Sequence, residues 1–204
     1  MARASGAPAT AAQRRRHREI IDAAAAVFSE KGYHGASTRV IADRVGMQQG
    51  SLYYHFRSKD AALEEVCRLG VTEFVEGLRN IVEAEVPTAK KIARAVANHL
   101  EPLRQRRDYV RTFLFSRHNL PRALRTDVWQ LTHEYEDLLE GLFRQGVESG
   151  DLRADLDCRL AMQAFIGMCN AAAVSHQPSR SQSLDGYIQA FADIILSGVI
   201  RRQR

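Results

Sequence analysis

Apolar residues recur at three- and four-residue spacing along almost the whole chain, and no stretch alternates with the period of two that marks a strand. Ile20, Ile21, Ala24, Val27 and Phe28 define a first helix from about Arg14 to Lys31, which Gly32 stops. Ser37 is placed to cap a second helix whose inner face carries Val40, Ile41 and Val45, and Gly46 breaks the chain again. A third, short helix runs from about Gln48 or Gln49 to His55. Ser58 caps a long fourth helix reaching about Glu85. Further helical patterns lie near 88–106, 108–119, 122–149, 155–176 and 183–202, punctuated by Pro87, the region of Pro121, Gly150 and Pro178. The pattern predicts an all-α chain without internal repeats. It divides into a disordered tail over 1–12, a helix-turn-helix unit over 13–60 and a larger helical domain over 61–204.

Charge sharpens this division. The first 60 residues hold ten Lys/Arg against five Asp/Glu, whereas the other 144 hold 19 of each sign, so the whole net charge of +5 sits at the N-terminal end. A basic module on a neutral domain is the footprint of a nucleic-acid-binding unit. Arg14, Arg15 and Arg16 read equally as a solvated run or as an arm for phosphates or the minor groove.

Other features narrow the class. No apolar run approaches the ~20 residues of a bilayer span, and the N-terminus has no signal-peptide core, which points to the cytoplasm. Cys67, Cys158 and Cys169 are few and scattered, and the histidines show no i, i+4 pair, so neither a disulfide framework nor a metal site is expected, and no cofactor. The chain lacks the phosphate-loop, nucleophile-elbow, zincin and dinucleotide-binding motifs, which argues against an enzyme.

Two short helices joined by "VGMQ" form a helix-turn-helix, with Gly46 at the turn and Met47 filling the angle. The second helix of such a unit enters the DNA major groove by its N-terminal residues. Gln48 and Gln49 carry amides that suit the N6/N7 edge of adenine, Gly50 allows close approach, and Ser51 offers a hydroxyl. Leu52 and Phe56 anchor the helix in the core. Tyr53, Tyr54 and His55 suit phosphate oxygens, although Tyr53 also reads as packing and His55 as an ordinary surface histidine.

Residues 14–63 resemble the DNA-binding domain of TetR-family transcriptional regulators. The likeness rests on the Ala-rich first helix with Phe28, Gly32 and Tyr33, the pair Ile41–Ala42, the run Leu52-Tyr53-Tyr54-His55-Phe56, and Ser58-Lys59-Asp60. Gln48 departs from the usual Ser or Thr, and Ala62 from a larger aliphatic residue. The resemblance implies phosphate contacts from Thr38 and Lys59 beside Arg39, with Gln48 to Ser51 in the groove and Tyr53 to His55 on the backbone. It also implies a homodimer on a palindromic operator and a repressor released by a small organic effector, lipid-like or aromatic. A non-specific or architectural DNA-binding protein is the alternative, though such a protein needs no adenine-reading glutamines.

In the larger domain, small residues at Ala164, Gly167 and Ala171 and the stripe containing Ile188, Phe191 and Ile195 are expected at the dimer interface. Tyr109, Phe113, Arg117, His118, Trp129, Tyr135, Phe165 and Met168 are the candidate pocket residues, since polar groups interrupt the apolar run "FLFSRHNLP".

Overall fold

A computed structural model describes residues 10–175 and 183–200 of the chain. They form α1 (Ala11–Gly35), α2 (Thr38–Arg44), α3 (Gln49–Leu52), α4 (Lys59–Glu83), α5 (Thr88–Leu100), α6 (Pro102–Gln105) and α7 (Arg107–Ser116). A 3-10 turn (Arg117–Asn119) leads into α8 (Arg122–Glu148), followed by α9 (Cys158–Ser175) and α10 (Leu184–Val199). Among the described residues the only extended pairing is a single antiparallel bridge between Leu152 and Ile200.

The expected elements are present, with shifted ends that have local causes. A capping box starts α1 early: Thr10 Oγ1 accepts from the Gln13 N–H at 3.2 Å, and Gln13 Oε1 accepts from the Thr10 N–H at 2.7 Å. Residues 11 and 12, expected in the tail, are therefore helical, while 1–9 lie outside the described residues. Gly32 interrupts α1 at φ 67°, a left-handed value that glycine adopts without steric cost. The helix expected over 88–106 is two, because Pro102 lacks the N–H that would continue α5 and instead starts α6. The Asp157 carboxylate accepts from the Leu160 N–H at 3.0 Å, which moves the start of α9 to Cys158. The regions around His176, Pro178 and residues 201–202, expected in the last two helices and their connection, lie outside the described residues.

Two cores share α4. Ile20, Phe28, Ile41, Leu52 and Phe56 form the head core with Ala62, Leu63, Val66 and Cys67 from the first turns of α4. The remaining turns of α4 supply Val71, Val75 and Leu78 to the second core, with α5, α8, α9 and α10. Tyr109, Leu120 and Val128 from the C-terminal helices enter the head core, and Phe113 packs against both. Two hydrogen bonds fasten this junction. Tyr109 Oη donates to Asp22 Oδ1 at 2.6 Å, and Thr112 Oγ1 donates to the Ala25 carbonyl at 3.0 Å inside the interface. At Gly70 the α4 backbone lies in contact with α7, an added Cβ falling at an ordinary 3.6 Å from the Tyr109 carbonyl oxygen.

Candidate functional site

The helix-turn-helix is compact and its reading surface faces outward. Gly46 takes φ 64° at the turn, and Met47 packs half-buried beneath it. Leu52 and Phe56 are buried as expected, fixing the orientation of α3. Gln48 occupies the N-cap without a side-chain hydrogen bond and is exposed with Gln49 and Gly50. Helical geometry ends at Leu52, earlier than the sequence suggests. The chain tightens there, with the N–H groups of His55 and Phe56 both donating to the Leu52 carbonyl at 2.8 and 2.9 Å.

Side-chain bonds organise this surface. Gln49 Nε2 donates to Thr38 Oγ1 at 2.9 Å, tying the start of α3 to the start of α2. Thr38 accepts in that bond, so its own hydroxyl hydrogen remains for a phosphate oxygen, and Gln49 keeps its carbonyl and a second N–H. Ser37 caps α2 by accepting from the Val40 N–H at 3.2 Å, and Arg39 and Ser51 flank the bond, exposed and half-exposed. Among the described residues nothing beyond its own helix lies within 4 Å of a Cβ built on Gly50, so their packing does not require glycine there. Tyr54 is 92% exposed and Tyr53 51%, which settles Tyr53 as a surface side chain.

Three positively charged or imidazole groups behave differently from expectation. Lys59 Nζ donates to the Tyr33 carbonyl at 2.9 Å and the Ala36 carbonyl at 3.2 Å, and lies 4.0 Å over the Tyr33 ring. Two of its three N–H groups are thus engaged in holding the end of α1, with Tyr33 Oη bonded to Asp60 beside it. His55 turns inward: its ring stacks on His17 with centroids 5.7 Å apart, and the two Nδ1 atoms are 3.4 Å apart. Glu65 can only accept, so His17 Nε2, 2.8 Å away, carries a hydrogen toward it. The His55 ring is thereby engaged with His17 rather than standing free in solvent. Burial first, then the neighbouring His17 and Arg16, hold its imidazole below the ordinary value. Arg16 is not a loose arm either: it pairs with Glu19 at 3.0 Å and donates to the Val45 carbonyl at 3.1 Å across the turn. His17 carries no motif in the sequence. Only its place on the helix face opposite α3 gives it away.

In the C-terminal domain one partly enclosed cavity gathers residues from α4, α5, α7, the 3-10 turn, α8 and α9. Val71, Phe74, Val110, Phe113, Leu114 and Ile166 make its apolar walls, and His99, Arg117, Thr132, Tyr135, Glu136 and Asn170 its polar points. Its empty space totals about 560 Å³, of which about 80 Å³ is wide enough for the centre of a water-sized sphere. At roughly 10–15 Å³ per water on that measure, it admits several waters in this closed form. Two wider depressions, about 460 Å³ along α8 and about 400 Å³ between α9 and α10, lie open to solvent. The smaller cavity is the better candidate, because among the described residues it brings together the buried His99 and Tyr135 with Asn170 and Arg117. His99 is buried, with Nδ1 2.8 Å from Tyr135 Oη and Nε2 3.3 Å from Asn170 Oδ1. Burial holds its pKa down to about 4, so the ring is neutral at pH 7.

Of the expected pocket residues, Phe113, Arg117 and Tyr135 line this cavity, and Phe165 packs behind it with its ring 6.0 Å from His99. The others lie elsewhere. Tyr109 is committed to Asp22, and His118 is exposed on the 3-10 turn. Trp129 stands on the outer face of α8 against His133, and Met168 faces the α9–α10 cleft. Helical spacing alone does not distinguish the inner face of a helix from its neighbours by one position. His99, Phe74 and Asn170 were missed. The signal for His99 was its place as the polar member of the inward stripe Ile92, Ala95, Val96, His99, Leu100.

The α9–α10 face is apolar and open. Ala164, Gly167 and Ala171 are exposed, as are Leu160, Val174 and Ile194 at 61%, 52% and 60%. On α10 the sequence stripe turns the other way: Ile195 is buried in its own core, and Ile188 and Phe191 pack against it. Ile194 and Gly198 take the outward places in the cleft. Among the described residues no helix is long and apolar enough to cross a membrane.

A basic helix-turn-helix head locked to a helical domain with an internal cavity defines a DNA-binding transcriptional regulator. Residues 20–66 match the bacterial regulatory proteins of the tetR family, and residues 85–199 match the tetracyclin repressor-like C-terminal domain. The chain belongs to the TetR family, whose members bind operator DNA as dimers and respond to effectors. It is 27% identical over 185 residues to the HTH-type transcriptional repressor KstR2 of Rhodococcus jostii, covering 90% of this chain and 91% of that one. The structure of the ketosteroid transcriptional regulator KstR2 of Mycobacterium tuberculosis superposes with a TM-score of 0.85 at 23% identity, over 92% of this chain and 96% of the other. AibR in complex with isovaleryl coenzyme A and operator DNA gives 0.80 at 22% identity, over 88% and 97%. These relatives are regulators rather than enzymes.

Proposed function

We propose that the protein is a homodimeric repressor whose grip on a palindromic operator is released by a small organic effector entering the cavity. The observation that carries this reading is the shared architecture of cavity and head. Two cavity walls, α4 and α7, are the helices that pack into the head core and bond to α1. A ligand that widens so tight a cavity must displace those walls, and so favours head positions different from those the empty form favours. Repression is the behaviour named for KstR2, and AibR has been solved in complex with isovaleryl coenzyme A and operator DNA. Gln48, Gln49, Gly50 and Ser51 read the groove, while Thr38, Arg39, Tyr53 and Tyr54 hold phosphates. The open face of α9 and α10 pairs two protomers, with Gly167 near its middle. The protein acts in the cytoplasm, where its DNA is.

The test begins with selection of bound sequences from a random DNA pool. A palindrome should emerge, and affinity for it should fall steeply with salt, at roughly 0.9 log units per log unit of salt for each phosphate neutralised. Gly167→Glu should give monomers by light scattering and lose the palindrome. A monomeric wild type at micromolar concentration, or selection without any sequence preference, would overturn the reading.

A further inference from the structure

Behind the reading surface, α1 holds the chain around α3 through two neighbouring side chains. Arg16 donates to the Val45 carbonyl at 3.1 Å, on the turn before α3. His17 meets His55 just after α3, with the two Nδ1 atoms 3.4 Å apart, and its ring also packs on Phe56 with centroids 5.6 Å apart. A bond between two imidazole nitrogens needs one hydrogen and one lone pair. The pair therefore keeps its contact with one Nδ1 hydrogen and loses it with two, because two N–H groups then face each other. Glu65 Oε1 lies 2.8 Å from the far nitrogen of His17 and fixes that ring in place. The charged groups around the pair are largely committed to one another. On α1 they are Arg16 and Glu19, paired at 3.0 Å. On α4 they are Glu65 and Arg68, 3.9 Å apart, with Glu64 3.6 Å from the same arginine. Burial first, then His17 and Arg16, lower the affinity of His55 for a proton.

We propose that His17 is a positioning residue for the reading surface, and that its contact with His55 makes operator binding weaken in mild acid. His55 follows Tyr54 directly, and its own N–H closes the tight end of α3 on the Leu52 carbonyl at 2.8 Å. Parting the two rings moves that end away from α1 and carries Tyr53 and Tyr54 with it. The sign is opposite to that of simple electrostatics. Extra positive charge close to DNA strengthens binding to phosphates, whereas loss of the His17 contact weakens binding by misplacing groups that are themselves unchanged. The proton affinity of folded His55 is below that of the unfolded chain, so its contribution is complete above about pH 6.5 and is lost as pH falls through the folded value. The contact lies in the head and acts whether or not a ligand fills the cavity.

The test uses the full chain and two readouts. The first is NMR of the ring Cε1–H resonances of His17 and His55 against pH. His55 should titrate below the ordinary histidine range, and His17→Gln should bring it partway back. The second is fluorescence anisotropy, at fixed ionic strength, with a labelled duplex carrying the sequence recovered by selection. Affinity should fall about 3–10-fold between about pH 7.5 and 5.5, because binding is reduced by the fraction of heads that have lost the contact. His17→Gln keeps a donor for Glu65 without an imidazole, so the response to pH should flatten, and His55→Gln should flatten it likewise. His99→Gln alters the acid stability of the other domain and should leave the response in place. Thermal melts at each pH separate a displaced reading surface from an unfolded chain. If His17→Gln does not fold, His55→Gln decides. Affinity that stays level or rises in acid overturns the proposal. So does a fall that both glutamine variants keep, or a His55 that titrates in the ordinary range whatever stands at position 17. If selection recovers no preferred sequence, the operator reading fails by itself, and the NMR titration still decides whether His17 holds His55.

Discussion

The head and the C-terminal domain place their polar side chains in opposite situations. On the head, Gln48, Gln49 and Tyr54 stand in solvent, and the apolar residues beneath them do the folding. In the C-terminal domain, His99 and Tyr135 are enclosed and satisfy one another, with Asn170 completing the set. An exposed recognition group costs the fold almost nothing, so recognition and stability are separable there. An enclosed one is part of the core, and changing it alters both at once. A surface that reads DNA can therefore diverge by single substitutions, whereas a cavity that reads a ligand changes only with its surroundings.

The sharpest way to break this contrast is to attack the head from beneath. Phe28→Ala should cost about 3–5 kcal/mol by emptying a site that is 1% exposed. Urea denaturation should show that loss, and operator binding should vanish although every reading residue is intact. Binding preserved at full strength would show that the head core does not position α3.

Protonation tests the enclosed side. The folded-state pKa of His99 is depressed to about 4, below the roughly 6.5 of an unfolded chain, so its contribution is intact above pH 6.5 and lost as pH falls toward 4. The loss should be on the order of 3 kcal/mol, read as a falling urea midpoint, and His99→Gln should flatten it. His55, half-buried on the head, is shifted in the same direction by burial, His17 and Arg16, and should add a smaller loss over the acidic range. A pH profile unchanged by His99→Gln would place the acid sensitivity elsewhere.

Three smaller effects sharpen the separation of reading from folding. Gln49→Ala should cost roughly 1–3 kcal/mol at one base pair, with relaxed preference there in a selection experiment and little change in melting. Gly50→Ala should leave stability equal or higher by up to ~1 kcal/mol, since no protein atom crowds the site, yet weaken operator affinity. Ser37→Ala, which removes the α2 cap, should lower stability by about 1 kcal/mol, visible as a small drop in melting temperature.

The same difference explains what was legible before any coordinates. The turn, its glycine, the anchors Leu52 and Phe56 and the exposed glutamines all lie within "VGMQQGSLYYHF", where spacing alone fixes their relations. The bond from Gln49 to Thr38 spans only 11 residues. The partners of His99 lie 36 and 71 residues away, and periodicity says nothing about which distant helix a residue will meet. Periodicity also could not say which body the apolar stripe of α10 meets: the sequence reading turns it toward another protomer, whereas Ile195 is buried in its own core with Ile188 and Phe191 packed against that core. Lys59 shows a subtler limit. Its position was read, but its bonds to the Tyr33 and Ala36 carbonyls depend on where α1 ends, which Gly32 shifts by a local break.

The clasp between α7 and α1 constrains modular exchange. Tyr109 needs a carboxylate at the position of Asp22, and Thr112 needs the Ala25 carbonyl within 3.0 Å, so the two halves are keyed to each other by one acid and one backbone atom. A DNA-reading head grafted from another regulator onto this C-terminal domain would inherit the reading surface but not the key. Unless the graft carries an acid in register with Asp22, Tyr109 would bury an unmatched hydroxyl at the junction. Engineered sensors built from this scaffold should therefore be cut after α7 has been matched to its α1, not at the sequence boundary between the two domains.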